Sequence, residues 1–222
     1  GSHDPLLEWA LRASRCGLAS YFDSSLDGLN RFAGGEGIAV GLHLYDPAGA
    51  SWNSAAVAPR FAQARVVLVE WAKRARGIIL APATAPGPGG LAELQGKRVV
   101  PRQPEAGSQI LLEALLLQRQ VDTSTIDWAP AARSEADAVI EVVEGRADAT
   151  FGLATLASQH RLEFIDVVDE RYDILVQRQA WFEPTWQSLL AFCRLPEFRQ
   201  HATDLAGYNI ADQFRVHYNS PD

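Results

Sequence analysis

The chain has 222 residues, 47% of them apolar, with 20 Lys and Arg against 27 Asp and Glu for a net charge of −7; it can bury one large core or two lobes of about 100 residues each. The acidic balance argues against a sequence-independent grip on DNA phosphates, so direct nucleic-acid binding is not expected, whereas a small anion stays open because oriented N–H groups act locally. The longest apolar tract, residues 65–82, is broken by Glu70, Lys73, Arg74 and Arg76 and falls short of the ~20 residues a bilayer crossing needs, so no membrane span is expected.

From the start, Asp4 caps a helix over Pro5–Arg15, with Pro5 at its first position and Leu6, Leu7, Ala10 and Leu11 on its apolar face. Leu18–Phe22 reads as a short strand, Ser25–Phe32 as a helix stopped by Gly34-Gly35, and Ile38–Leu44 as a buried strand. A helix follows from Trp52 to about Gln63. Arg65–Trp71 and Gly77–Ala81 read as two strands, with the basic Lys73-Arg74-Ala75-Arg76 between them as a solvated face without a role. This alternation is the signature of a sheet covered by helices on both faces.

Pro82–Gly90 is punctuated by Pro and Gly and reads as a turn or crossover into a second unit. There, Leu91–Gln95 is a helical turn, Arg98–Val100 a strand, Ser108–Gln120 an apolar helix and Asp122–Trp128 a loop. Ser134–Glu144 is a helix capped by Ser134, Ala147–Phe151 a strand, Leu153–His160 helical, and Phe164–Val168 and Tyr172–Gln177 strands. Two helices, Pro184–Phe192 and Pro196–Ala206, close the chain, the second stopped by Gly207. A terminal helical pair of this kind packs back on the first lobe, so the expected lobes are 1–82 plus 178–222 and 83–177. The chain would cross between them twice, with a ligand cleft where helix N-termini converge.

Chemistry is suggested by three Ser/Gly-bearing segments that stand just ahead of apolar helices: Gly1-Ser2-His3-Asp4-Pro5, Asp23-Ser24-Ser25 and Glu105-Ala106-Gly107-Ser108-Gln109. A helix N-terminus leaves N–H groups unpaired and carries about half a positive charge, so several converging on one point could hold a small oxyanion. Ser2, Ser24, Ser25 and Ser108 are therefore candidate ligand contacts, each with N-capping as its ordinary alternative, while Asp4 and Asp23 are read as caps away from a ligand. Arg102 ends a strand and could clamp two oxygens, or make a salt bridge instead. His43 and Tyr172 are either core or ligand-facing, and Thr150, with Phe151 and Gly152, ends a strand whose N–H groups could serve as donors.

No catalytic constellation, cofactor motif or metal-ligand spacing is present: there is no HExxH, P-loop or GxGxxG, and adjacent Ser2-His3 lack the geometry of an activated serine. Cys16 and Cys193 stand in apolar helical contexts and read as reduced core thiols. With no Met anywhere, the start reads as that of an excised or processed domain, with Gly1-Ser2-His3 either native or a cloning scar.

The segments Gly1-Ser2-His3-Asp4, Gly41-Leu42-His43-Leu44-Tyr45-Asp46-Pro47, Glu144-Gly145-Arg146-Ala147-Asp148-Ala149 and Glu170-Arg171-Tyr172-Asp173, in their order and spacing, carry a resemblance over residues 1 to about 213. The chain resembles the periplasmic-binding-protein-like domain of molybdate- and tungstate-responsive bacterial proteins, which is attached there to helix-turn-helix DNA-binding domains or to molybdopterin-biosynthesis proteins. The resemblance implies a type II periplasmic-binding-protein fold, an α/β protein of two lobes joined by two crossover strands, that closes on molybdate or tungstate without catalysis. It also implies that Gly1-Ser2-His3 is native, with Ser2 at the end of a first strand and Ser24 or Ser25 at the end of a second.

Where that family reads Asn-Arg-Gln and then Gly-Ser-Gly-Thr-Arg, this chain has Pro101-Arg102-Gln103-Pro104 and Gly107-Ser108-Gln109, lacking the Thr and Arg. A Thr-His pair ahead of the next helix is replaced by Arg133-Ser134. The alternatives are accordingly a larger organic anion, such as a molybdopterin-related or carboxylate compound, or an enzyme on the same fold. Expected partners are a small anionic ligand and an attached DNA-binding or biosynthetic domain, in the cytoplasm or, after removal of a signal, in the periplasm.

Overall fold

The computed structural model describes residues 1–82, 84 and 89–221. The chain folds into two compact units, Gly1–Lys73 with Arg171–Asp222, and Arg74–Glu170. It passes between them inside two long strands, β4 (Val66–Leu80) and β8 (Glu163–Gln177). The expected unit boundaries, 82/83 and 177/178, thus lie further along the chain than the crossings at 73/74 and 170/171. The fold is mixed α/β.

In the first unit, α1 (Pro5–Ala13) begins at Asp4, whose Oδ1 accepts from Leu7 N at 2.7 Å and Trp71 Nε1 at 2.9 Å, while its Oδ2 accepts from the Tyr208 hydroxyl at 2.7 Å. This buried carboxylate therefore ties the first helix to the core as well as capping it. Next come α2 (Ser25–Ala33), β1 (Ala39–Leu42), a small hairpin of β2 (Tyr45–Asp46) and β3 (Ser51–Trp52), and α3 (Ser54–Val57). The unit is completed by the second half of β8, α7 (Pro184–Cys193), α8 (Pro196–Asp204), β9 (Tyr208–Asn209) and β10 (Val216–Asn219). β1 pairs antiparallel with residues 173–176 of β8, and β10 antiparallel with residues 67–69 of β4. α1, α7 and α8 pack on one apolar cluster around Trp71 and Phe198, and α2 covers a second around Leu42 and Leu68.

In the second unit, β5 (Arg98–Val100) lies between β6 (Asp127–Trp128) and β7 (Ala149–Leu153), parallel to both, and β7 runs antiparallel to residues 76–80 of β4. Its helices are α4 (Gly107–Gln118), α5 (Glu135–Val143) and α6 (Ala154–Gln159). α5 opens on a reciprocal capping box between Ser134 and Asp137.

Several expected elements are corrected. The two strands expected at 65–71 and 77–81 are one, as are those at 164–168 and 172–177. The helix expected over 52–63 shrinks to Ser54–Val57 followed by turns, and the expected loop 122–128 holds a 3₁₀ turn at Thr123–Thr125 and β6. Leu18–Phe22 forms no strand. Asp23 is not a cap: Ser24 occupies that position, and Asp23 Oδ1 accepts from Ser24 N. Most of the turn expected at 82–90, residues 83 and 85–88, lies outside the described residues.

The basic cluster 73–76 is not a solvated face. Arg74 and Arg76 are buried within β4, and both bond Glu170: Arg76 Nε reaches Glu170 Oε2 at 2.6 Å, Arg74 Nη2 meets Glu170 Oε1, and Arg76 Nη2 reaches Glu135 Oε1 at 2.8 Å. The two carboxylates come from β8 and the first turn of α5, far off in sequence, so local pattern cannot show that these arginines have partners. Cys16 and Cys193 are free and buried, and burial raises the Cys193 thiol to about 12.

Candidate functional site

Unit one gathers Ser2, Ser25, His43 and Tyr172 into a buried polar group. The Ser2 and Ser25 hydroxyls are 2.6 Å apart, and Ser25 Oγ also accepts from His43 N at 3.2 Å. The Tyr172 hydroxyl donates to Ser2 O at 2.6 Å, and the Tyr172 and His43 rings stack with centroids 6.1 Å apart. Ser25 is the first residue of α2, so its hydroxyl stands at the positive end of that helix. Two glycines make this closeness possible. A Cβ on Gly28 would collide with the Gly1 Cα, and one on Gly41 with the Tyr172 hydroxyl.

Ser24 is occupied otherwise: its Oγ accepts from Asp27 N at 3.0 Å and lies 2.7 Å from Asp27 Oδ2, which makes it the N-cap of α2. Beside the cluster lies a network that sequence reading did not single out. Asn53, with a left-handed φ of 61°, donates from Nδ2 to Asp173 Oδ2 at 2.8 Å and accepts from Leu44 N at 2.7 Å. Arg171 bonds both oxygens of Asp173 and the Trp52 carbonyl. Burial raises the Asp173 pKa, against the downward pull of Arg171 and Asn53. In the sequence Asn53 stands inside the helix expected from Trp52 and Asp173 within a segment that carries the resemblance, and nothing local pairs two residues 120 positions apart.

In unit two the candidate residues are spread over three elements. Arg102 spends Nε on the Ala132 carbonyl at 3.1 Å and Nη2 on the Arg133 carbonyl at 2.7 Å, while its backbone N–H donates to Gln109 Oε1 at 3.0 Å. Burial lowers its pKa, with Glu135 pulling the other way. Ser108 is the buried second residue of α4, where first-turn N–H groups lack intrahelical acceptors. The Thr150 hydroxyl donates to the Val100 carbonyl at 2.9 Å, joining β7 to β5. Near Arg102, Arg76 Nη1 and Glu135 Oε2 are buried atoms that find no hydrogen-bond partner among the described residues. Burial pushes the Glu135 pKa up, but Arg76 pulls it below the usual carboxylate value.

Nothing in either group has the nucleophile, base and orienting residue of a hydrolytic site. What the residues offer is donors: hydroxyls, helix-start amides and guanidinium groups held by the fold. An α/β protein of two units threaded by two crossing strands, with hydroxyls and helix starts presented as donors, belongs to the class of periplasmic-binding-protein-like domains.

The comparisons agree. The model of the PBP superfamily domain matches residues 8–194, and the chain belongs to that family. It is 23% identical over 190 residues to the uncharacterized protein YvgK of Bacillus subtilis (strain 168), covering 84% of this chain and 61% of YvgK's length. Among solved structures, the effector-binding domain of QuiR in complex with shikimate superposes with a TM-score of 0.60 at 8% identity, over 88% of this chain and 90% of that one. PhnD1 of Prochlorococcus marinus (MIT 9301), in complex with methylphosphonate, gives 0.58 at 13%, over 93% and 85%. A histidine kinase sensor domain with similarity to periplasmic binding proteins gives 0.55 at 12%, over 91% and 84%. These neighbours are binding and sensor proteins by their descriptions, and at such identities they speak to the fold. No helix among the described residues is long and apolar enough to cross a membrane.

Proposed function

We propose that this domain captures a small oxyanion without chemistry, molybdate or tungstate first, and that Ser2 and Ser25 are its primary contacts. The supporting observation is the pair of hydroxyls 2.6 Å apart at the start of α2, held from behind by Tyr172 and His43 N–H. Each hydroxyl can rotate its proton outward to a tetrahedral oxyanion while the helix start contributes positive potential, so no free cation is required. In the second unit, Arg102 and Ser108 are the residues proposed to take part. Arg102 would do so as a positive charge held in place by two carbonyls, and Ser108 through the first turn of α4. Thr150 contributes on this reading through the strand end it braces, and Ser24 through the helix it caps.

A larger organic anion is the second reading, favoured by one observation. Gln109 stands directly after Ser108 and is committed to the Arg102 backbone, where the resembled family continues Gly-Thr-Arg. The attached partner in a longer polypeptide, a DNA-binding or biosynthetic domain, belongs to the same proposal. So does a cytoplasmic setting, which the free, buried Cys16 and Cys193 favour. Titration calorimetry with molybdate, tungstate, sulfate and phosphate, on protein shown by mass spectrometry to carry no retained ligand, tests the reading. Saturable heat with molybdate or tungstate is expected; silence with all four removes the oxyanion, and an organic anion found in the released fraction installs the second reading instead.

A further inference from the structure

At the end of α2 opposite its Ser25 start, the first unit has an open groove of about 740 Å³. Its walls are the last turn of α2, the turns at 60–65 that lead into β4, and the stretch 177–182 that leaves β8. The floor is aromatic: Phe32 and Phe61, both buried, meet edge to face with centroids 5.4 Å apart. At the rim stands Phe182, 74% exposed. The single 3₁₀ turn Ala180–Phe182 explains why it is outside. Ala180 is buried and the Trp181 ring packs inward on Trp186 and Phe214, at 5.9 and 6.2 Å, so the third residue of the turn is left facing water.

Among the described residues that line the groove, the charged side chains are all arginines: Arg60, Arg65 and Arg178. Arg60 and Arg65 are exposed and have no carboxylate partner among the described residues. Arg178 is held by the carbonyl and hydroxyl of Ser220. Two carboxylates close by in sequence are engaged elsewhere. Glu36 pairs with Arg31 at 3.4 Å, and Glu183 stands at the start of α7, whose dipole compensates its charge. In a chain of net charge −7, three arginines around an aromatic floor are a local reversal of sign.

We propose that this groove docks an acidic peptide segment of a partner protein. A Leu- or Phe-sized side chain of that segment is seated on Phe32 and Phe61 against Phe182, and flanking Asp or Glu side chains meet Arg60, Arg65 and Arg178 through charge-assisted bonds. A peptide also brings N–H donors for the carbonyl end of α2, where a nucleic-acid backbone would bring acceptors alone and be repelled. A flat membrane surface does not reach the floor of a groove. A second copy paired about a two-fold axis through this face would set the arginines against one another. The proposal goes beyond the oxyanion reading and does not rest on it, since no residue lining the groove is one of the oxyanion contacts.

The test selects peptides from a random nine-residue library displayed on phage, with the full chain as bait, and follows the consensus as a fluorescein-labelled synthetic peptide by anisotropy. Enriched sequences are expected to carry two or more Asp or Glu residues around an apolar one. The consensus peptide should bind saturably, weaken by about 10-fold or more in the double variant Arg60→Glu, Arg65→Glu, and by about 5-fold in Phe182→Ala. All three side chains are exposed, so these variants are expected to keep the fold, checked by circular dichroism. A selection without acidic bias, or a consensus that binds the double variant as tightly as the parent chain, overturns the proposal. So does failure to select any peptide alongside dimerisation, phosphatidylserine-vesicle binding or duplex-DNA binding that is lost in the double variant, which would give the groove to a second copy, a membrane or a nucleic acid instead.

Discussion

The Ser2–Ser25 group in the first unit and the Arg74–Arg76–Glu170 group in the second are both buried and polar, and they solve the same problem differently. The first is neutral: hydroxyls, a tyrosine and backbone groups satisfy one another through short bonds, and its hydroxyl protons can be turned elsewhere without leaving a charge uncompensated. The second is ionic, with three buried full charges whose removal from water is compensated only while all are present, joined by Glu135 at the edge. A group that can release donors suits a ligand that comes and goes. An ionic group in the strand that passes between units suits a fixed element of structure.

If that contrast is sound, the largest effect on stability comes from the ionic group. Glu170→Ala leaves two arginines buried without their shared carboxylate and is expected to destabilise by about 3–5 kcal/mol in urea unfolding. Ser25→Ala should cost only about 1 kcal/mol. Equal costs at the two sites would erase the distinction. Gly41→Ala forces a Cβ onto the Tyr172 hydroxyl, and overpacking of that kind costs about 1–3 kcal/mol, read as a lower urea midpoint with an unchanged slope.

The pH response sharpens the contrast further. Glu135 has a folded pKa held below its ordinary 4.5 by Arg76, against the effect of burial. Its contribution is therefore fully present above pH 4.5 and is lost as pH falls through the folded value. Glu135→Gln should flatten that acid limb of the stability curve. Asp173, raised by burial, has the opposite sign: its charged form costs stability at neutral pH, and the cost is relieved as pH falls through its folded value. Asp173→Asn should therefore remove a smaller, acid-side gain, measured by urea midpoints from pH 7 to 4.

The sequence displayed much of the fold because α1, α2 and α5 announce themselves locally, through Asp4, Ser24 and Ser134 at their starts and apolar faces behind. It hid the long strands. Lys73-Arg74-Ala75-Arg76 looks like a break in an apolar run, and its partners Glu170 and Glu135 become visible only when distant segments are side by side. The candidate site divides the same way. Ser24 and Ser25 are equivalent on the page, and only the helix start tells them apart, one turned to Asp27 and the other to Ser2. Asn53 and Asp173 were missed as a pair because neither residue type is unusual in its own neighbourhood, and 120 residues, the whole second unit among them, separate the two in sequence.

The central claim is that the paired hydroxyls of Ser2 and Ser25 receive the anion. Calorimetric titration of tungstate into the ligand-free chain and into Ser25→Ala, at one pH and salt concentration, tests it most directly. The account predicts saturable binding that weakens by about 10-fold or more in Ser25→Ala while the fold stays intact by circular dichroism. Tungstate binding of equal strength in both proteins would contradict it.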